Sequence, residues 1–342
     1  MATTDQAAAT HEAPAHLEAD VHEARSDTDS LFDDGSGQSD TTSLASSIAR
    51  YRHENGRRYH AFKDGSYNFP NDEVEQERLD LQHNLLCMTF DGKLHISPAG
   101  KDKPLHRVLD VGTGTGIWAM DFADEHPEAA VLGVDLSPIQ PTYVPPNVIF
   151  LVDDVEEPWA YETKFDFVYT RMMTGSLANW SRFTQQAYEN MNPGGWIEFV
   201  DIAYVTSDDD TLPKDCPLQK WTDLTAEAAA KIGRPMDAVK SHKKNLLDAG
   251  FTNINDVIYK WPTNRWPKDA KYKELGMWAN ENMGGGLQAI TLALFTRVLG
   301  WLPEEVEVFT AEVRRDMRNP RYHAYWPIIV TYAQKPVAAA ST

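Results

Sequence analysis

An α/β protein built on a mainly parallel sheet is the fold class this sequence predicts, and three observations predict it. From residue 107 onward, short apolar runs of strand character alternate with amphipathic helical stretches. That order implies parallel strands joined by crossover helices and covered on both faces. The first run, RVLDVG, feeds a glycine-rich turn that opens a helix, and carboxylates close the next two runs. Ligands of open α/β sheets bind at these carboxyl ends.

Residues 1–49 precede this pattern. Together with Arg50 they hold ten acidic residues against Arg25 and Arg50, and a single aromatic, Phe32. Such a segment cannot bury enough apolar surface to offset its ordering entropy, so a disordered acidic tail is expected. Residues 50–335 then read as one domain, with an N-terminal cap at 50–100 and helical insertions at 206–320 forming a lid above the sheet. Residues 336–342 read as a short C-terminal tail.

Within the cap, Val74, Leu79, Leu81, Leu85, Leu86 and Met88 recur at broadly helical spacing over 73–90. A strand is expected at 107–112, then a helix to about Glu125, stopped near Pro127. Further strands fall at 131–136, 148–154 and 165–170. The Pro-rich SPIQPTYVPP after the strand at 131–136 leaves little room for a helix. An amphipathic helix covers 179–191, ended by Asn192-Pro193-Gly194-Gly195, and a strand follows at 195–202. Beyond 205 the pattern is helical at 221–232, 237–250 and several places between 268 and 318. Strands at 254–261 and 325–333 interrupt and close it.

Composition narrows the function. The chain has 342 residues with 51 Asp+Glu against 32 Lys+Arg, a net charge of −19. This acidity argues against a general phosphate-backbone binder, so no direct nucleic-acid partner is expected. No window approaches the roughly 18 to 20 apolar residues of a bilayer span, and the first residues lack the pattern of a secretory signal. Cys87 and Cys216 make neither a disulfide framework nor a CxxC pair. An enzyme of a reducing compartment is expected, cytoplasmic or nuclear. No grouping of His, Cys and Asp has metal-ligand spacing, so no metal is expected.

The chemistry lies in Val108-Leu109-Asp110-Val111-Gly112-Thr113-Gly114-Thr115-Gly116. Glycines at every second position let the backbone approach a ligand closely. Asp135 closes the second strand, 19 residues after Gly116, where a carboxylate accepts both hydroxyls of an adenosine ribose. Asp153 and Asp154 end the third strand, placed to take the amino group of an adenine. The spacing is GxGxG rather than the GxGxxG of dinucleotide sites. Asp110 just before the first glycine would repel a pyrophosphate and favour an ammonium or sulfonium. A ligand with adenosine at one end and positive charge at the other fits this set. S-adenosylmethionine is such a ligand, and NAD fits poorly.

LDVGTGTGIWAMDFA, GVDLSP, DDVEEPW, FDFVYTRMM and MNPGGWIEFVD resemble the successive motifs of class I S-adenosylmethionine-dependent methyltransferases. ENGRRYHAFKDGSYNFPNDEVEQERLDLQH and NWSRFTQQAYENMNPGGWIE are similar to the LaeA-like methyltransferases of filamentous fungi. The resemblance covers about residues 50 to 335. It implies a Rossmann-like seven-stranded sheet of order 3-2-1-4-5-7-6, with a last, reversed strand at 325–333. It also implies that Gly112, Gly114 and Gly116, with Thr113, shape the loop around the methionine moiety. Asp135 would hold the ribose, and Asp154 with the backbone of Val155 the adenine, Asp153 ranking second. Asp201 departs from a pattern in which relatives often carry Glu.

For the methyl acceptor the sequence offers candidates rather than an assignment. Tyr169 and Arg171 follow the fourth strand at its ligand-binding end. His53, His60 and His83 are possible general bases, and Tyr59 and Tyr67 in the cap could close over the cofactor. Little else is required, because displacement at a sulfonium depends mainly on placing the acceptor near attack distance. The expected function is methylation of a small molecule of fungal secondary metabolism, in an apolar acceptor pocket built by cap and lid. The resemblance also allows a regulator of secondary-metabolite genes acting through velvet-type partners.

Overall fold

In the computed structural model, residues 16–18, 20, 51–60, 62, 63 and 68–337 are described. The central sheet has eight strands: β3 (Arg107–Val111), β4 (Ala130–Asp135), β5 (Val148–Val152), β6 (Phe165–Arg171), β7 (Met191–Ile202), β8 (Thr206–Ser207), β9 (Thr252–Pro262) and β10 (Ala324–Gln334). They run in the order β5-β4-β3-β6-β7-β10-β9, and the short β8 continues the β7 side of β10. The first five are mutually parallel, whereas β10 is antiparallel to β7, β8 and β9. Counting from β3 and leaving β8 aside, this is the expected order 3-2-1-4-5-7-6.

A parallel sheet needs apolar side chains on both faces, and the strands supply them. Val108, Phe167, Tyr169 and Val200 join Trp118 and Phe122 of helix α2 (Ile117–Glu125) on one face. Leu109, Val111, Val168 and Phe199 join Trp180 and Phe183 of helix α3 (Trp180–Glu189) on the other. The segment after β4 contains no helix, as its prolines require. The expected turn at 192–195 is absorbed as a bulge inside β7, between the pairs Phe165↔Met191 and Phe167↔Trp196.

The cap starts with a hairpin of β1 (Arg52–Glu54) and β2 (Arg57–Tyr59). Asn55 and Gly56 turn it at φ 52° and 76°, the positive pair that a two-residue hairpin loop demands. Helix α1 (Glu73–Thr89) follows, and Asp72 serves twice at its start. Its carboxylate caps the Glu75 N–H at 3.1 Å and accepts Arg57 Nε at 2.6 Å, joining hairpin to helix.

After β7 come α4 (Pro217–Lys231), α5 (His242–Ala249), the long α6 (Ala270–Leu294) and α7 (Pro303–Met317). The expected helix over 237–250 is shorter, beginning after a separate turn at Ala238–Lys240. α5 packs beside α3 and against β9, on the sheet rather than over its end. Gly286 of α6 stands where a Cβ would press on Arg78 of α1, so the two helices cross closely there. The disordered-tail expectation needs one correction. Asp20 N–H bonds Trp266 O at 2.7 Å, Leu17 is buried, and Asp20 pairs with Lys273, so this stretch is seated on the body. The rest of 1–49 lies outside the described residues.

Candidate active site

The carboxyl ends of β3, β4, β5 and β6 meet at one edge of the sheet beneath α1. A cavity of about 1060 Å³, counted with its mouth, opens there. The glycine loop forms its floor. Gly112 and Thr113 N–H groups bond Val134 O at 2.8 and 3.1 Å, stitching the loop to β4. Gly112, Gly114 and Gly116 hold φ of 70°, 57° and 81°, a region costly for other residues. A Cβ on Gly112 would overlap the Met173 sulfur, and one on Gly116 the Phe150 ring. Gly112, Thr113 and Gly114 line the cavity. Gly116 does not, because it caps α2 against Phe150.

Asp135 faces the cavity with each oxygen used once, accepting Gly114 N–H and Ser137 N–H, both at 2.9 Å. Each oxygen retains acceptor capacity for a ligand hydroxyl. Burial pushes its pKa upward, and the two backbone donors oppose that shift. Asp153, Asp154 and Val155 line the adjoining wall. Asp154 is engaged by Lys63 Nζ at 2.7 Å and Glu156 N–H at 2.9 Å, whereas Asp153, among the described residues, accepts its neighbour's N–H alone, at 2.8 Å. Asp110 lies behind the loop rather than in the wall. Thr113 Oγ1 donates to its Oδ2 at 2.6 Å, while its buried Oδ1 has no partner among the described residues. Burial raises its pKa to about 6.

The acceptor candidates separate sharply. Arg171 lines the cavity. Tyr169 does not, being fully buried and stacked on Trp118 at 3.9 Å and 7°. His83 is buried between Arg171 Nη1 at 2.7 Å and Asp121 at 2.8 Å. Since Nδ1 must accept from arginine, Nε2 carries the proton. Burial, then Arg171, depress its pKa, which leaves a neutral ring clamped in place. His60 is buried with Nδ1 2.6 Å from Phe62 O, and His53 is exposed on β1. Tyr59 is buried beneath Arg297 at 4.7 Å. None of these last three lines this cavity or the one beside it, and Tyr67 lies outside the described residues. Asp201 is spent on His242 Nε2 at 3.0 Å and Thr174 N–H at 2.8 Å.

The sequence reading missed the residues that come from other segments. Asn71, Ser137 and Arg234 line the cavity, with Asn71 Nδ2 donating to Ser137 Oγ at 3.2 Å. Only Ser137 carried a signal, standing two residues after Asp135. A second cavity, of about 870 Å³, adjoins the first. Glu75, Leu79, Gln82 and Met172 line both. Its other walls are the end of β7, α4 and α6.

The site fits the cofactor to which the sequence points. A positive-φ glycine cradle, a carboxylate closing β4 with open acceptor capacity and two carboxylates just after β5 share one cavity of suitable size. A methyltransferase domain family matches residues 81–255. The chain is 42% identical to the methyltransferase pytC of Aspergillus terreus, over 95% of this chain and 98% of that protein. It is 40% identical to the secondary metabolism regulator LAE1 of Cochliobolus heterostrophus, over 83% and 94%. It is 35% identical to the protein-methionine methyltransferase laeA of Emericella nidulans, over 84% and 77%.

Proposed function

The chain belongs to the S-adenosylmethionine-dependent methyltransferases, and from that premise we propose that it methylates a small molecule of fungal secondary metabolism at the junction of its two cavities. The observation that carries this reading is the cavity at the strand ends, with Gly112–Gly114 and Asp135 on one wall and a second, apolar chamber beside it. The cofactor supplies a methyl group on a sulfonium, an electrophile with a good leaving group. The backbone of Gly112–Gly114 borders its amino-acid end, and Asp135 takes the ribose hydroxyls. Asp153 is the better partner for the adenine amino group, because Lys63 already occupies Asp154; the Val155 backbone stands beside it. The cap and Met172 exclude water from the junction, the main requirement for a displacement of this kind.

The kinship to LAE1 supports a second reading, a regulator of secondary metabolism working with velvet-type proteins in the nucleus or cytoplasm. Removing residues 1–49 separates the two: loss of such a partner with cofactor binding intact favours the regulator. No helix among the described residues is long and apolar enough to cross a membrane.

The central test is calorimetric titration of the full chain. S-adenosylmethionine should bind at one site with micromolar Kd, about −8 kcal/mol, and NAD should not bind. Binding of NAD alone, or of neither, overturns the cofactor assignment.

A further inference from the structure

We infer that the second cavity takes a neutral, aromatic, hydroxyl-bearing small molecule, and that Gln82 positions its reacting oxygen; the inference rests on the methyltransferase reading above.

The walls define the body of the ligand. Trp221, Trp326 and Tyr204 are joined by the thioethers of Met172, Met236 and Met283. Methionine and aromatic side chains together favour a flat, polarizable ring system over a plain aliphatic chain. A volume of about 870 Å³, counted with its mouth, suits a small molecule.

The charges define its neutrality. Glu75 and Arg78 both line this chamber, yet each neutralises the other. Both oxygens of Glu75 accept from Arg78, at 3.0 and 2.7 Å, and Arg78 Nη1 donates to Asn282 Oδ1 at 2.9 Å. No ionic group in the wall is left to hold a charged ligand, and burying an unpaired charge there is costly.

Gln82 defines the orientation. It stands on α1 at the seam, lining both cavities, and is 9% exposed. Its amide has no hydrogen-bond partner among the described residues. An unpaired amide on a nine-tenths buried side chain at the meeting point of two cavities is a ready partner for a ligand hydroxyl. Thr174 and Thr225, also in the wall, have buried hydroxyls without a partner among the described residues. In the transfer, a lone pair of the ligand oxygen forms the bond to the methyl carbon as the carbon–sulfur bond breaks. The electrons of that bond stay on sulfur, and the hydroxyl proton is released through the mouth of the second cavity to bulk solvent, away from the dry junction.

The test uses the full chain, with quenching of tryptophan fluorescence by naphthol, naphthalene and naphthoate. Naphthol should bind at least about tenfold more tightly than naphthoate, and several-fold more tightly than naphthalene. In Gln82→Leu the preference for naphthol over naphthalene should vanish while naphthalene affinity stays unchanged. A merely structural role for Gln82 would weaken both equally and overturns the assignment. Thr225→Phe, which fills the chamber, should abolish naphthol binding and leave S-adenosylmethionine binding intact. Should that variant not fold, the Gln82→Leu comparison decides. Naphthol failing to bind a protein that binds S-adenosylmethionine overturns this inference and leaves the methyltransferase reading standing. Failure of S-adenosylmethionine to bind overturns that reading itself.

Discussion

Asp135 carries two tasks at once, and both follow from its place at the end of β4. It pins the glycine loop through Gly114 N–H and the next turn through Ser137 N–H, and it presents its remaining lone pairs to the cavity. Asp135→Ala should therefore weaken S-adenosylmethionine binding by at least about 1.5 kcal/mol, roughly tenfold, in the same calorimetric titration. Unchanged affinity removes Asp135 from the site. This residue was legible in the sequence because its distance from the glycines is fixed by one helix and one strand, α2 and β4. The histidines were not, because residue type alone says nothing of neighbours: His83 is consumed by Arg171 and Asp121, contacts 88 and 38 residues away. Gln82 was missed for the converse reason. It sits among apolar residues on α1, where an amide reads as an ordinary surface position until the facing cavity is seen.

At the scale of elements, α1 is the piece that closes both cavities, and polar ties hold it down. Thr115 Oγ1 in the glycine loop donates to Asp80 at 2.6 Å, and His83 reaches Asp121 of α2. Thr115→Val keeps shape and removes the first tie, at a cost of about 1 kcal/mol. Hydrogen exchange across 73–89 should then accelerate severalfold while β3 and β6 stay protected, because local opening draws on local contacts. Equal protection in the variant would show that Asp80 and Thr115 do not hold the cap. The strands and helices of the sheet were readable because their apolar periods are strong. The hairpin at 52–59 was overlooked although Asn55-Gly56 announces a two-residue turn. Its strands are three residues each, too short to show alternation.

Over the whole molecule, stability should respond to pH through carboxyls buried where the cap meets the sheet. Glu198 of β7 is fully buried and accepts Ile96 N–H at 3.0 Å and Ser97 N–H at 2.6 Å, tying the segment after α1 to the sheet. Burial outweighs these bonds and raises its pKa to about 7 from 4.5. The folded chain therefore holds more protons than the unfolded chain between those values, so this group's contribution falls as pH rises through that window. Asp110, raised to about 6 from 3.8, acts in the same direction at lower pH. His95 opposes them: burial lowers it to about 4 from 6.5, so its contribution is lost as pH falls between those values. A difference measurement isolates Glu198 from the rest. Glu198→Gln loses part of the bonding to Ile96 and Ser97 at every pH, but it carries no charge to desolvate. Relative to the unaltered chain it should gain about 2 kcal/mol between pH 5 and pH 8, read from urea unfolding midpoints and slopes. A stability difference independent of pH would mean that Glu198 titrates alike in the folded and unfolded chains, and that its burial is relieved by contacts other than Ile96 and Ser97.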